Sequence, residues 1–273
     1  MSIGEIALSS SARANLSALQ STATLLEKTQ QHLSSGKNVN SATDNATAYF
    51  ASQGFLNRAN NLNTVKNNLA TALTTVQSVT QSISSVTSVV QQLQGVVTQA
   101  LGTTDTSTRL GLASQFNQLL TQLDTLVNDA TFNGTNLLNS TSNNLVVYFN
   151  ETNTTSLTIS GVNISYSGLN INTAGNNFKD AASINSAGSL LLTALSTLVT
   201  DAANFGGNAT LIQTRQDFTT SLINNLQSAS NNLTLADTNT EGANLQALQA
   251  QNQLGIVSLG ISGQLAQAIL RIL

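Results

Sequence analysis

The sequence predicts a mainly α-helical protein, a long antiparallel helical bundle or coiled coil with a small β-hairpin region. Three observations carry that reading. From Leu62 to Ala100 apolar residues recur at steps of three and four without a slip, and a 3.5-residue period keeps one helical seam facing one partner. No proline occurs in 273 residues, where ordinary usage would place about a dozen; proline costs roughly 3 kcal/mol inside a helix. Between about Leu145 and Ile171 the period drops to two and β-branched residues take over, as strands require.

The chain opens with an amphipathic helix in residues 1–36, its apolar side built from Leu8, Ala12, Leu16, Leu19, Ala23, Leu26 and Leu33. Gly36 ends it, since glycine tolerates the positive φ of a helix C-terminus. The lone histidine, His32, reads as a solvated surface group near that end. A Ser/Thr/Asn/Asp cluster from Lys37 to Asn45 is a loop, with Ser41 or Asp44 as cap for a short helix holding Ala46, Ala48 and Phe50.

The central rod follows. Leu62, Val65, Leu69, Val76, Ile83, Val90, Leu93 and Val97 are its core positions, and at 1.5 Å per residue the seam is roughly 58 Å long. The run GTTDTSTR after Leu101 is a turn. A second helix carries Ala113, Phe116, Leu120, Leu123, Val127 and Ala130, and the short connection makes it an antiparallel neighbour of the rod. Phe132-Asn133-Gly134-Thr135 closes it with a strong turn signal.

Short strands are expected at Leu145–Phe149, Leu157–Ile159 and Val162–Tyr166. Helical spacing returns around Ser189, breaks at Gly206-Gly207 and resumes from Ile212 to Leu233. The last segment, Thr238–Leu273, is apolar on most sides, and such a helix has to be covered on most sides. Two domains result: 1–40 with 237–273 as a terminal helical coiled coil, and 41–236 as a helical rod with the β-hairpin at about 141–172.

Composition narrows the function. Charged residues are 8% of the chain and the net charge is −3, against about 25% charged residues in ordinary domains. The surface is left to Asn, Gln, Ser and Thr, groups that desolvate cheaply against other protein. No basic stripe exists to neutralise phosphates, so nucleic acid is not an expected partner. One His and no Cys remove most nucleophile–base pairs and nearly all zinc spacings, and no phosphate-loop pattern occurs. No catalytic, cofactor or metal residue is therefore expected, and no enzyme. No run of about 18 uninterrupted apolar residues suggests a membrane span. The first twenty residues lack the basic start and compact apolar block of a cleavable secretory signal. Asn-x-Ser/Thr triplets at Asn133, Asn139 and Asn208 are chance products of an Asn- and Thr-rich chain.

These readings converge on self-association. A lone chain has little with which to cover Leu16, Leu19, Leu26 and Leu33 at one end and Leu259, Leu265, Ile269 and Leu273 at the other. The expectation is that residues 1–40 and 237–273 lack fixed order in the monomer and dock between copies, at roughly 25 cal/mol per Å² of apolar surface removed from water.

The motifs also carry a resemblance. Leu33–Ala46, LSSGKNVNSATDNA, is similar to the bacterial flagellin signature LSSGLRINSAKDDAAG; Phe132–Leu138, FNGTNLL, is similar to the family's FNG-x-x-LL; and Ala243–Leu273 resembles its terminal helix. The resemblance implies a self-assembling filament subunit for motility, whose terminal helices pair as a coiled coil lining a tube. It implies unfolded type III export without signal cleavage, a location in the extracellular flagellar filament, and dealings with an export chaperone and with hook-associated and cap proteins. Only about fifty residues separate Leu138 from Ser189, so a short form without large outer domains is expected. Flagellins sensed by the animal innate receptor carry an Arg-rich stretch on the long core helix; here Gln91, Gln92 and Gln94 occupy it and Gln115 lies near its acidic counterpart, which implies weak receptor activation. Two rivals remain: the hook–filament junction protein, whose loop usually carries PSDDP where this chain has no proline, and a flagellin-like surface adhesin.

Overall fold

The structure, a computed structural model, describes residues 10–272. In chain order the elements are α1 (Ser10–Ser35), α2 (Ala46–Leu101), α3 (Thr106–Asp129), β1 (Asn144–Tyr148), β2 (Ser156–Ser160), a short turn at Gly175–Phe178, α4 (Ala181–Thr234) and α5 (Thr238–Ile272). They divide into two compact units: Ala59–Asn224, and the chain up to Arg58 taken with that from Asn225 onward.

The larger unit is built on α2. Its seam is the core, with Leu69, Val76, Val90 and Leu93 fully buried and Leu62, Val65, Ile83 and Val97 nearly so. The short helix expected at Ala46–Phe50 is not separate: α2 runs unbroken for 56 residues, about 84 Å, because nothing between Tyr49 and Leu62 breaks a helix. Its cap also lies one residue beyond the expected ones. Asn45 Oδ1 accepts the Ala48 amide at 3.0 Å, while Asp44 Oδ2 is occupied by the Asn40 and Ser41 amides, each at 3.0 Å.

The following turn is shorter than the expected GTTDTSTR, because Asp105 caps α3 by accepting the Thr108 amide and hydroxyl, both at 2.7 Å. Arg109, on the first turn of α3, donates Nε to the carbonyls of Ala100 (3.1 Å) and Thr103 (2.8 Å) and Nη1 to that of Lys179 (3.1 Å). One guanidinium thus ties the end of α2 and the turn to the segment entering α4. Phe116, Leu120 and Leu123 of α3 are buried in the same core, and the Phe116 ring meets Phe178 edge-on at 5.2 Å.

β1 and β2 form the hairpin, paired from Asn144 with Ser160 to Tyr148 with Ser156. Alternation sets its faces: Val147 and Ile159 turn into the core. The third expected strand, Val162–Tyr166, does not form. Val162 and Ile164 donate their amides to the Leu137 and Leu138 carbonyls, and Asn163 makes one isolated bridge to Asn139. At Gly161 the chain crosses other backbone so closely that a Cβ would stand 2.5 Å from the Ser140 carbonyl oxygen, which ends the sheet.

α4 begins at Ala181, earlier than the expected start near Ser189, with Asp180 Oδ1 accepting the Ser183 amide at 2.7 Å. It also passes through Gly206-Gly207 without a break. Two glycines cost about 0.5–1 kcal/mol each in a helix, and Phe205 and Ile212, buried on either side, hold the turn between them. By length and composition α4 is long and apolar enough to cross a membrane; Ile184, Leu191, Ala194 and Leu198 on it are committed to the protein core.

The second unit joins α1 to α5. Gly36, at φ 68°, closes α1 as expected. The next residues are laced to the α4–α5 connection: the Asn38 amide donates to the Thr234 carbonyl at 2.9 Å and the Ala236 amide to the Gly36 carbonyl at 3.0 Å. α1 and α5 are helical and pack along each other, each covering part of the other's apolar side.

Candidate functional site: the terminal helix pair

α1 and α5 run antiparallel. Leu16, Leu19, Leu26 and Leu33 of α1 and Leu259 of α5 are all half-buried, while Leu265 is exposed. The Ile269 side chain and Leu273 lie outside the described residues. The apolar seam therefore exists, and is only partly covered.

What the sequence pattern missed is a set of polar links along the pair. Asn15 Nδ2 donates to Ser258 Oγ at 3.1 Å and to Ser262 Oγ at 3.4 Å. At the other end His32 Nδ1 lies 2.9 Å from Glu241 Oε1. The reading of His32 as a solvated surface group is overturned: it is buried, covered by a residue 209 positions away that no local pattern could reveal. His32 sits in the last turn of α1 and Glu241 in the first turn of α5, so each helix dipole favours the charge sign its residue can carry. Asp237, ahead of α5, accepts the Thr240 and Asn239 amides, and the Thr240 amide is the main cause of its lowered carboxyl pKa.

Leu254, Val257, Ile261 and Leu265 follow one another on one side of α5 at steps of three and four and are 69%, 59%, 53% and 60% exposed, while Ile256, on another side, is 56% exposed. Isolated exposed leucines are normal on a protein surface, but a contiguous apolar row marks an interaction site.

The rest of the molecule offers little chemistry. Among the described residues no three His, Asp or Glu side chains come together to hold a metal. Asp124, a candidate acid by type, accepts the Tyr166 amide at 3.0 Å and is a structural tie. Asp201, part-buried on α4, has its carboxyl pKa raised by that burial. Gln91, Gln92 and Gln115 are exposed and Gln94 is half-buried.

Residues 6–143 match the family model described as the bacterial flagellin N-terminal helical region. Flagellin FljO of Caulobacter vibrioides is 28% identical over 271 residues, covering 99% of this chain and 98% of its own. A flagellin of Brucella melitensis is 26% identical, with 98% of both chains covered. A crystal structure of Bacillus cereus flagellin aligns with 56% of this chain and 88% of its own at 19% identity, with a TM-score of 0.49. The family match spans half the chain, relatives align from end to end, and the chain belongs to the bacterial flagellin family.

Proposed function

We propose that this subunit of the bacterial flagellar filament polymerises through its terminal helix pair. The carrying observation is the uncovered row Leu254, Val257, Ile261 and Leu265 on α5. Among the described residues α1 covers one side of α5 and that row stays exposed, so copies docking there remove it from water together. Each Å² of apolar surface so buried contributes roughly 25 cal/mol. Leu16, Leu19, Leu26, Leu33, Leu259, Leu265, Ile269 and Leu273 form the seam between the pair and its neighbours. The rod core of α2 and α3, from Leu62 to Val97 with Phe116, Leu120 and Leu123, gives each copy a stiff body.

The domain division we propose keeps 1–40 with 237–273 as the assembling part and 41–236 as the rod. The subunit acts as structure and not as a catalyst. It reaches the cell exterior by flagellar export, with a chaperone shielding the α5 row beforehand and hook-associated and cap proteins meeting it at the filament ends. Support for these partners is the apolar row itself, which a cytoplasmic chain cannot leave bare at high concentration.

Purified protein seeded with short filament fragments and viewed by negative-stain microscopy tests the reading. Long helical tubes are expected. A preparation that stays dispersed at every concentration, with its helices folded, would overturn it.

A further inference from the structure

α5 is apolar on so many sides that its hydrophobic pattern does not single out one alignment with α1. We infer that three contacts outside the leucine–leucine seam act as positioning pins that set the register of the terminal pair: Asn15 on Ser258 and Ser262, Leu19 in the gap left by Gly255, and His32 on Glu241. Their placement follows one rule. Each step up α1 is matched by a step down α5, so that 15 meets 258, 19 meets 255 and 32 meets 241. The three lie along most of the pair, and any one alignment that satisfies two of them satisfies the third.

The Gly255 pin is one of fit. A Cβ at that position would stand 2.6 Å from Leu19 Cδ1, so the leucine packs its tip into the space the glycine leaves open. Asn15, at a contact with Ser258 open to water, adds directional hydrogen bonds, and the His32 pin works by exclusion. His32 is buried, and its second ring nitrogen, Nε2, already lacks a partner; losing Glu241 would leave the ring with none. Sliding α5 so that Ser262 took the place of Gly255 would set Asn15 against Leu265 and His32 against Leu248. Sliding it one heptad the other way would press Leu19 on Leu248 and carry His32 past Thr238, the first residue of α5. The first slip forfeits every polar contact, and the second sets Asn15 against Gln251 while taking His32 away from Glu241. A single buried polar residue sets register in coiled coils by this means.

The register is a property of the pair whether or not filaments form, and the proposal deepens the assembly reading by naming what presents the α5 row on a fixed side. The chain has no cysteine, so an introduced pair is its only thiol chemistry. A Cβ at 255 would lie 4.0 Å from Leu19 Cβ, inside the range of about 3.5–4.5 Å that a disulfide needs. In full-length monomer under mild oxidation, Leu19→Cys/Gly255→Cys should close an intramolecular disulfide, and the slipped pairs Leu19→Cys/Ser262→Cys and Leu19→Cys/Leu248→Cys should close at least about tenfold more slowly.

The same three pairs are then placed in Asn15→Leu/His32→Leu/Glu241→Leu, which removes both ends of the buried pair and leaves no stranded charge. Slipped disulfides rising to within about twofold of the in-register one would support the pins. An unchanged tenfold preference would overturn them, because the leucine seam alone would then hold the register. If the triple variant does not fold, Asn15→Leu by itself decides on the same readout, with a measurable rise in slipped product expected and an unchanged preference again overturning the proposal. Repeating the oxidation on seeded tubes separates the two readings: a locked register in a protein that never polymerises sinks the assembly reading and leaves the pins standing.

Discussion

Asp44, Asp105, Asp180 and Asp237 do one job at four places: each carboxylate accepts hydrogen bonds from nearby backbone amides and side chains at a turn or helix start. Their carboxyl pKa values are lowered for that reason. The Asn40 amide is the largest cause at Asp44, the Thr108 hydroxyl at Asp105, the Asn176 side chain at Asp180 and the Thr240 amide at Asp237. An acid whose folded-state pKa is depressed contributes stability that is present above its unfolded pKa and lost as pH falls through the folded one. Urea midpoints should therefore hold level above the ordinary carboxylate range near 4 and drop below it. Asp201 works in the opposite sense: burial raises its pKa, so protonation relieves a cost as pH falls and softens the upper edge of that drop. Replacing the four capping aspartates by Asn should flatten the acid limb, and an unchanged limb would refute the assignment. At neutral pH two uncharged positions should report larger effects. Asn45→Ala removes the cap of α2 and should cost about 1 kcal/mol. Phe116→Ala empties a fully buried site against Phe178 and should cost about 3–5 kcal/mol, both read from urea unfolding.

Elements were legible in the sequence to the extent that their signals were local. The heptad seam of α2 and the alternation of β1 and β2 could be read directly, because periodicity records which side of an element is dry. Breaks were read less well. Gly206-Gly207 looked like an interruption, yet α4 continues through it, since propagating a formed helix is cheap compared with starting a new one. Neither glycine has any atom within 4 Å of the place a Cβ would occupy, and neither has a positive φ. Gly206→Ala and Gly207→Ala should accordingly each raise stability by about 0.5–1 kcal/mol; a loss measured by thermal or urea unfolding would mean the pair serves as a hinge. The opposite case is Gly161, where the neighbouring carbonyls lie too near for any side chain. There the strand pattern of Val162–Tyr166 was sound locally and was overruled by a backbone crossing the pattern does not record.

For the whole molecule the decisive experiment is truncation. Deleting Ala266–Leu273 should abolish polymerisation in the seeding assay while leaving the circular dichroism of the middle helices intact; truncated chains that still form straight or curled tubes would contradict the seam. The near-absence of charge along α2, where none occurs between Lys66 and Asp105, bears on a second expectation. Purified monomer is expected to activate the animal innate flagellin receptor weakly or not at all in a cell reporter assay, if Gln91, Gln92, Gln94 and Gln115 stand, as the resemblance implies, where sensed flagellins carry charge. A strong response would remove that inference without touching the fold.

By itself the sequence determined the helical class, the dry seam of the rod, the hairpin's faces and the surplus of apolar surface at both ends, because each of these is written in the spacing of neighbouring residues. The tertiary structure alone decided which polar groups are buried and what they meet. His32 and Glu241 stand 209 residues apart, and Asn15 is farther still from Ser258. Whether a lone histidine faces water or a carboxylate depends on where a distant helix comes to rest, and no run of adjacent residues carries that information.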